Sequence, residues 1–168
     1  MGIQRLIAAA GLVIGAVFGV AGTFAPSPSL RALAWGIDGT ALVVAASLLA
    51  VYHVRRQNDL AAAGFLVFVA GETLVVAGSA MELKASVASF GAGAALWAAS
   101  LALVSASNVM PVLVRAVGML ASLLLAVVAV QIFRGRDLTP LSEPLPFFAY
   151  PFLAATLIGW AWVHYRQS

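Results

Sequence analysis

Two acidic residues lie inside apolar stretches long enough to cross a membrane, and their side chains are the ones in this chain best suited to chemistry. Asp38 lies within residues 30–53 and Glu72 within residues 60–81, both among apolar and small residues. A carboxylate in the hydrocarbon core costs several kcal/mol unless it is paired or protonated. By default, such an acid indicates a functional site.

The depth of the two acids follows from the rise of a helix. Asp38 lies eight residues into its stretch, or ~12 Å from the membrane side opposite the chain termini. Glu72 lies twelve residues into a stretch that runs the other way. It is therefore ~18 Å from the terminal side and also ~12 Å from the opposite side of a ~30 Å core. We expect both carboxyl groups at one level.

A pair of carboxyl groups at one level has several possible roles. Because two carboxylates within a few ångströms cannot both ionise comfortably, they would share a proton. The pair could carry protons, bind a cation or donate hydrogen bonds to a polar solute, and Thr40, Thr73 and Thr156 are expected near the same depth. The alternative is structural: Asp38 would cap a helix re-formed after a glycine break, and a neighbour would satisfy a neutral Glu72.

The composition predicts a membrane protein. Of the 168 residues, 63% are hydrophobic and 9% are charged, against about 25% charged in soluble domains. Residues 6–30, 85–114 and 116–133 contain no charge, and runs of this length predict membrane helices. We predict an all-α polytopic membrane protein that forms one transmembrane domain over residues 1–168. Its six spans are 3–25, 30–53, 60–81, 86–107, 109–134 and 145–165, arranged as three helical hairpins (about 3–53, 60–107 and 109–165).

Several classes of function are not expected. The net charge is only +3, and the basic residues are scattered over short loops, so no nucleic-acid surface is predicted. Without cysteine, there is no thiolate metal site or disulfide. No nucleophile–base arrangement or phosphate-binding loop occurs, so we expect neither an enzyme nor a cofactor.

The histidines and tryptophans suit positions near the membrane surface. His53 and His164 lie at span ends beside Arg55 and Arg166. This position indicates interfacial side chains rather than haem or metal ligands. The tryptophans are typical of interfacial belts, except for the mid-span Trp97, which we expect to line the interior.

Regularly spaced glycines mark two helix faces. Helices in lipid associate through close contact at small residues. Two hypotheses follow: tight packing inside one bundle, or a homo-oligomer interface, most plausibly through the first span. The residues are Gly11, Gly15 and Gly19 in the first span, and Gly64, Gly71 and Gly78 in the third.

The distribution of basic residues predicts the orientation. An even number of spans puts both termini on one side, together with Arg5, Arg55, Arg56, Arg115 and Arg166. The other side carries Arg31, Lys84, Arg134 and Arg136. Because the side richer in Lys and Arg faces the cytoplasm, we expect a multi-pass inner (plasma) membrane protein with cytoplasmic termini and the lipid bilayer as its partner.

The first hairpin is similar to the HdeD-like acid-resistance membrane proteins. In that family a glycine-punctuated helix ends at a proline, and the second helix carries a small-residue Asp-Gly segment. The glycines of residues 11–19, then Pro26, then Gly36-Ile-Asp38-Gly39 match that outline. The other two hairpins keep neither the turn proline nor the Asp-Gly, and Glu72 has no counterpart. The resemblance implies a bacterial inner-membrane protein linked to acid stress and assigns no site residues.

The sequence therefore supports two hypotheses about function. The first is a non-enzymatic membrane protein with a proton-responsive or small-solute or ion transport role centred on Asp38 and Glu72. The alternative is a structural or accessory membrane subunit or stress protein that acts through glycine-rich helix packing, alone or with a membrane complex partner.

Overall fold

A computed structural model describes residues 2–79, 82 and 84–166. These residues form six long helices and one short 3₁₀ turn (Phe147–Ala149) that leads into the last helix. All six helices, the last counted together with the turn, are long and apolar enough to cross a membrane, which confirms the predicted all-α, six-span architecture. The helices are α1 (Gly2–Thr23), α2 (Pro28–Arg55), α3 (Asp59–Ser79), α4 (Val87–Ala106), α5 (Val112–Phe133) and α6 (Tyr150–Arg166).

The helices pack as a closed ring. Each helix contacts its neighbours in sequence, and α6 returns to pack against α1. Successive helices run in opposite directions, since the late parts of α1 and α3 meet the early parts of α2, α4 and α6 around one cavity. We call the end of the ring with α1's beginning and α6's end the terminal side, and the other end the opposite side. Because every helix packs on both neighbours, the hairpins are not separate units.

Most predicted span boundaries agree with the helices to within a few residues. The fifth helix begins at Val112 because Pro111 takes an extended backbone conformation (ψ 150°) and serves as the N-cap. The sixth begins at Tyr150 instead of Leu145, since the 3₁₀ turn comes first. The predicted end of the third span, Met81, lies outside the described residues.

The second helix is continuous. It runs from Pro28 to Arg55 and begins at Ser27, whose hydroxyl accepts a hydrogen bond from a first-turn N–H. The hypothesis that Asp38 caps a helix re-formed after a glycine break is therefore wrong. The glycines of this segment make room for neighbouring side chains instead, as described below.

Both glycine faces pack inside the ring. The first-span face lies against α2, where a Cβ on Gly11 would be 2.9 Å from the carbonyl oxygen of Ala41. The third-span face lies against α4, where a Cβ on Gly71 would be 3.0 Å from Cβ of Leu96. Packing within one chain thus accounts for both faces. The first-span face, seated on α2, offers no support for a homo-oligomer interface.

Replacing Gly11 with alanine is expected to destabilise the protein by about 1–3 kcal/mol. The new methyl group would meet a backbone oxygen and the Cβ of Ala45 at 3.0 Å, and neither can swing aside. Gly36→Ala is the matched control, because a Cβ there meets nothing within 4 Å. It should be neutral or stabilising by up to about 1 kcal/mol. Thermal unfolding in one detergent compares the two variants, and equal melting temperatures would contradict this packing.

Candidate functional site

The two acidic residues line one cavity inside the ring. It lies in the half of the protein nearer the opposite side. Its volume of about 80 Å³ has room for several waters. Pro140, from the connection between α5 and α6, forms part of its wall. We call it the acid cavity. Besides Asp38 and Glu72, its wall includes four aromatic residues: Trp35, Phe90, Trp97 and Tyr150.

Asp38 projects from α2 toward α1, where two glycines leave room for its carboxyl group. A Cβ on Gly15 would lie 3.2 Å from Oδ1, and a Cβ on Gly19 would lie 2.9 Å from Oδ2. Oδ1 is buried and has no hydrogen-bond partner in the described part of the chain. An unpaired buried oxygen is costly. A proton, a cation or a hydrogen-bond donor would therefore be stabilised beside it.

Glu72 projects from α3 and is 1% exposed. Its Oε2 accepts a hydrogen bond from the indole N–H of Trp97 on α4, with an N···O distance of 3.0 Å. Gly39 on α2 leaves room for the other oxygen, since a Cβ there would lie 3.1 Å from Oε1. The indole of α4 and the glycine of α2 thus hold this carboxyl group at the wall of the acid cavity.

The acid cavity brings two carboxyl groups together without a basic partner. Asp38 and Glu72 interact electrostatically with each other, and Tyr150 interacts with both. The described residues of the wall include no Lys, Arg or His. Arg31, on the same helix as Asp38, instead lies over the ring of Trp35, 5.9 Å from its centroid. The arrangement favours uptake of a proton or a cation.

The three threonines expected at this depth do not line the cavity. Thr40 and Thr73 are exposed on the outside of the ring, and each hydroxyl donates to the carbonyl oxygen four residues earlier at 2.8 Å. Thr156 is buried, donates in the same way, and lies against α5. Side chains turn by about 100° per residue around a helix. The neighbours of Asp38 and Glu72 in sequence therefore face elsewhere. The hydroxyls of the wall are those of Thr23, Ser79, Ser86 and Tyr150.

Four buried aromatic side chains fill the interior of the helix ring between the acid cavity and the terminal side. Their ring centroids are 6.3 Å apart for Trp97 and Phe68, 5.9 Å for Phe68 and Trp160, and 5.0 Å for Trp160 and Phe65. We call them the aromatic column. Trp97 lies inside as expected, whereas Trp160 is buried and not interfacial. The column begins at the indole that binds Glu72 and separates the acid cavity from the terminal side.

Two histidines meet at the terminal-side end of the aromatic column. The Nε2 atoms of His53 and His164 are 3.1 Å apart, and the ring of His53 stacks on Phe65 with centroids 5.4 Å apart. Both side chains lie at the ends of their helices, as predicted, but they are buried inside the protein instead of facing the membrane surface. Depth along a span does not tell which way a side chain faces. His53 continues the buried face of Ala46 and Leu49, but apolar residues on every side of this helix hid that face from the sequence.

The hydrogen bonds assign the protons on the imidazole rings. Nδ1 of His164 lies 2.7 Å from the carbonyl oxygen of Trp160. A carbonyl only accepts, so Nδ1 of His164 donates. In the neutral ring its Nε2 then accepts, and Nε2 of His53 donates to it. This leaves Nδ1 of His53, which is buried and has no partner among the described residues.

Replacing either histidine with phenylalanine is expected to destabilise the protein by about 1–3 kcal/mol, because the remaining ring loses the partner of a buried nitrogen. The double variant His53→Phe/His164→Phe should cost less than the sum of the single variants, since it leaves neither ring unpaired. Thermal unfolding of all three variants measures this coupling. Strict additivity would contradict the hydrogen-bonded pair.

A second pocket, of about 440 Å³, lies beside the histidines at the terminal side. The guanidinium carbons of Arg5 and Arg56 lie 5.5 and 5.4 Å from the centroid of the Tyr52 ring. The described wall contains no Asp or Glu. We call it the basic pocket, and its wall consists of Arg5, Tyr52, His53, Arg56, Asn58, Val109 and His164.

The protein is thus a multi-pass membrane protein whose ring interior has three parts along its axis. The acid cavity is followed by the aromatic column, and the column ends at the histidines of the basic pocket. Searches against protein-family models, curated proteins and solved structures found no match to this chain.

Proposed function

We propose that the protein is a small, non-enzymatic membrane transporter in which Asp38 and Glu72 exchange protons for a small cationic solute. The observation that carries this proposal is the placement of both carboxyl groups on one cavity inside a closed ring, with no basic side chain in its described wall. Ionisable side chains at membrane depth mark ion and proton pathways when they face the bundle interior.

The exchange follows from the chemistry of a carboxyl pair. Without a solute, the two groups share a proton, because neighbouring carboxylates repel each other in an apolar setting. A bound cation favours the doubly ionised pair and so releases that proton. The coupling is reciprocal, so protons displace the cation in turn. The wall also includes the aromatic residues Trp35 and Tyr150, and aromatic rings favour an organic ammonium ion over a neutral solute of the same size.

Passage of a solute requires movement of the aromatic column. Its four side chains are buried and in contact, so the way from the acid cavity to the terminal side is closed. Nearer the opposite side, the wall of the acid cavity includes Pro140, which belongs to the connection between α5 and α6. In the proposed cycle, solute enters from the opposite side and leaves when the column rearranges.

We also propose a location for the protein, which relates to the resemblance noted above. We place the protein in the bacterial inner membrane with both termini in the cytoplasm, so that the acid cavity lies nearer the outer face. A proton-exchanging site at that position would respond to external acid, which agrees with the link to acid stress that the HdeD-like resemblance implies. The accessory-subunit alternative has less support, because both glycine faces are occupied within the chain.

A pH-sensitive dye inside liposomes tests the proposal, because it reports the loss of protons from the interior as the cation enters. Purified protein is reconstituted, and tetramethylammonium is added outside, with tert-butanol as a neutral solute of similar size. We expect wild-type protein to move protons only with the cation. Asp38→Asn should abolish this movement, and Asp137→Asn, which changes an exposed acid in a loop, should retain it. Absence of cation-driven movement in the wild type, or full movement in Asp38→Asn, would refute the proposal.

A further inference from the structure

The basic pocket takes no part in the proposed exchange, yet it gathers positive charge at the other end of the ring. Two arginines and two histidines face it, from α1, the end of α2 and α6. The histidines are 3% and 1% exposed, and Arg5 is 8% exposed. Of these side chains Arg5 carries a charge, and an arginine is almost never buried this far without a partner.

Arg5 gives the clearest indication that this pocket binds a ligand. Its Nε atom is buried and has no hydrogen-bond partner in the described part of the chain. Its guanidinium carbon lies 5.5 Å from the centroid of the Tyr52 ring, which offers a π surface to the cation. A guanidinium group has five N–H donors, and burying them unpaired is costly.

The other groups of the pocket add to this charge. Arg56, which caps α2, lies over the same Tyr52 ring and interacts electrostatically with His53. Arg5 interacts in the same way with His164. The two guanidinium groups repel each other, and no carboxylate in the described wall offsets their charge. A negatively charged ligand would relieve that repulsion.

We propose that the basic pocket binds an oxyanion group, a phosphate or a carboxylate. The planar, fixed donors of arginine match such groups and bind them through paired hydrogen bonds. Two arginines from different helices, α1 and the end of α2, would hold the group between them. The volume of about 440 Å³ accommodates a phosphate with an organic group attached. The phosphate could come from a soluble compound or from the headgroup of an anionic lipid.

Two measurements on the full-length protein test this site and separate the two sources. The first is calorimetric titration of the purified protein with inorganic phosphate in a neutral detergent. The second is native mass spectrometry after equilibration in bilayers of phosphatidylglycerol or of phosphatidylcholine. Binding in the titration indicates a soluble oxyanion, and selective retention of phosphatidylglycerol indicates a headgroup.

The variants Arg56→Gln and Arg55→Gln form a matched pair. Both arginines are exposed and adjacent in sequence, so both variants should fold, but only Arg56 lines the basic pocket. We expect Arg56→Gln to weaken binding by at least about tenfold and Arg55→Gln to leave it unchanged. Arg5→Gln should weaken it at least as much in the fraction that remains folded.

Binding of an oxyanion in the basic pocket and cation exchange in the acid cavity can be lost independently of each other. If neither phosphate nor phosphatidylglycerol binds, the site is refuted. The same holds if Arg55→Gln weakens binding as much as Arg56→Gln, because the effect would then be one of net charge. Asp38 lines the acid cavity and not the basic pocket, so Asp38→Asn should leave binding of the oxyanion unchanged.

Discussion

Replacing Glu72 with glutamine should reduce cation-driven proton release to the level of protein-free liposomes, a loss of at least about tenfold. The amide has the size of the carboxyl group, and its oxygen can still accept the N–H of Trp97, which lies 3.0 Å from Oε2 in the native protein. It cannot ionise. Because packing is preserved, the free energy of unfolding should change by less than about 1.5 kcal/mol.

The dependence on pH provides a second readout for the same variant. Protons and the cation compete for the carboxyl pair, so the affinity for tetramethylammonium should fall as the pH is lowered. In Glu72→Gln this dependence should be largely lost. Glu143→Gln, which changes an exposed acid in the connection between α5 and α6, should behave as the wild type does. A Glu72→Gln protein that transports normally would show that this carboxyl group is structural.

Trp160→Ala is expected to have the largest effect on stability, a loss of about 3–5 kcal/mol. The indole is 1% exposed and packs against both Phe65 and Phe68, so its removal leaves a void in the aromatic column. Trp162→Ala is the matched control on the same helix. That side chain is 53% exposed, and its removal should cost less than about 1 kcal/mol.

The same substitution should also make the protein leaky. With the void in the aromatic column, protons that reach the acid cavity should cross to the terminal side without any cation. Trp160→Phe keeps most of the volume of the aromatic side chain, so it should restore stability and prevent the proton leak. Proton leak through reconstituted Trp160→Ala and Trp162→Ala is compared in the same liposomes. Equal stability and equal leak in these two variants would contradict a closed column.

The fold was largely predictable because the membrane imposes it. Long runs without charge have to be helices, since no other single segment satisfies its own backbone in lipid. The boundaries that differ are those set by local geometry. Pro111 stands just before α5 as its N-cap, and a 3₁₀ turn delays α6 until Tyr150. A count of apolar residues does not contain this information.

The sequence predicted the depth of the two acidic residues in the membrane, but not the direction in which the side chains of each helix point. The rise per residue placed Asp38 and Glu72 at one level, and they do line the same cavity. The rise per residue could not show that Thr40 faces outward or that His53 faces inward. In a soluble protein the polar face of a helix would show this, but in lipid both faces are apolar. Contacts between distant helices, such as that of His53 with His164, were beyond the sequence for the same reason.

Infrared difference spectroscopy of the carboxyl C=O stretch gives the most direct test of a shared proton in the acid cavity. Tetramethylammonium is added to the wild-type protein at constant pH, and the spectra are compared with those of Asp38→Asn and Glu72→Gln. We predict loss of a protonated-carboxyl band in the wild type, and no such loss in either variant. A band that persists when the cation is added, or a Glu72 signal that is unchanged by Asp38→Asn, would contradict a proton shared between these two residues.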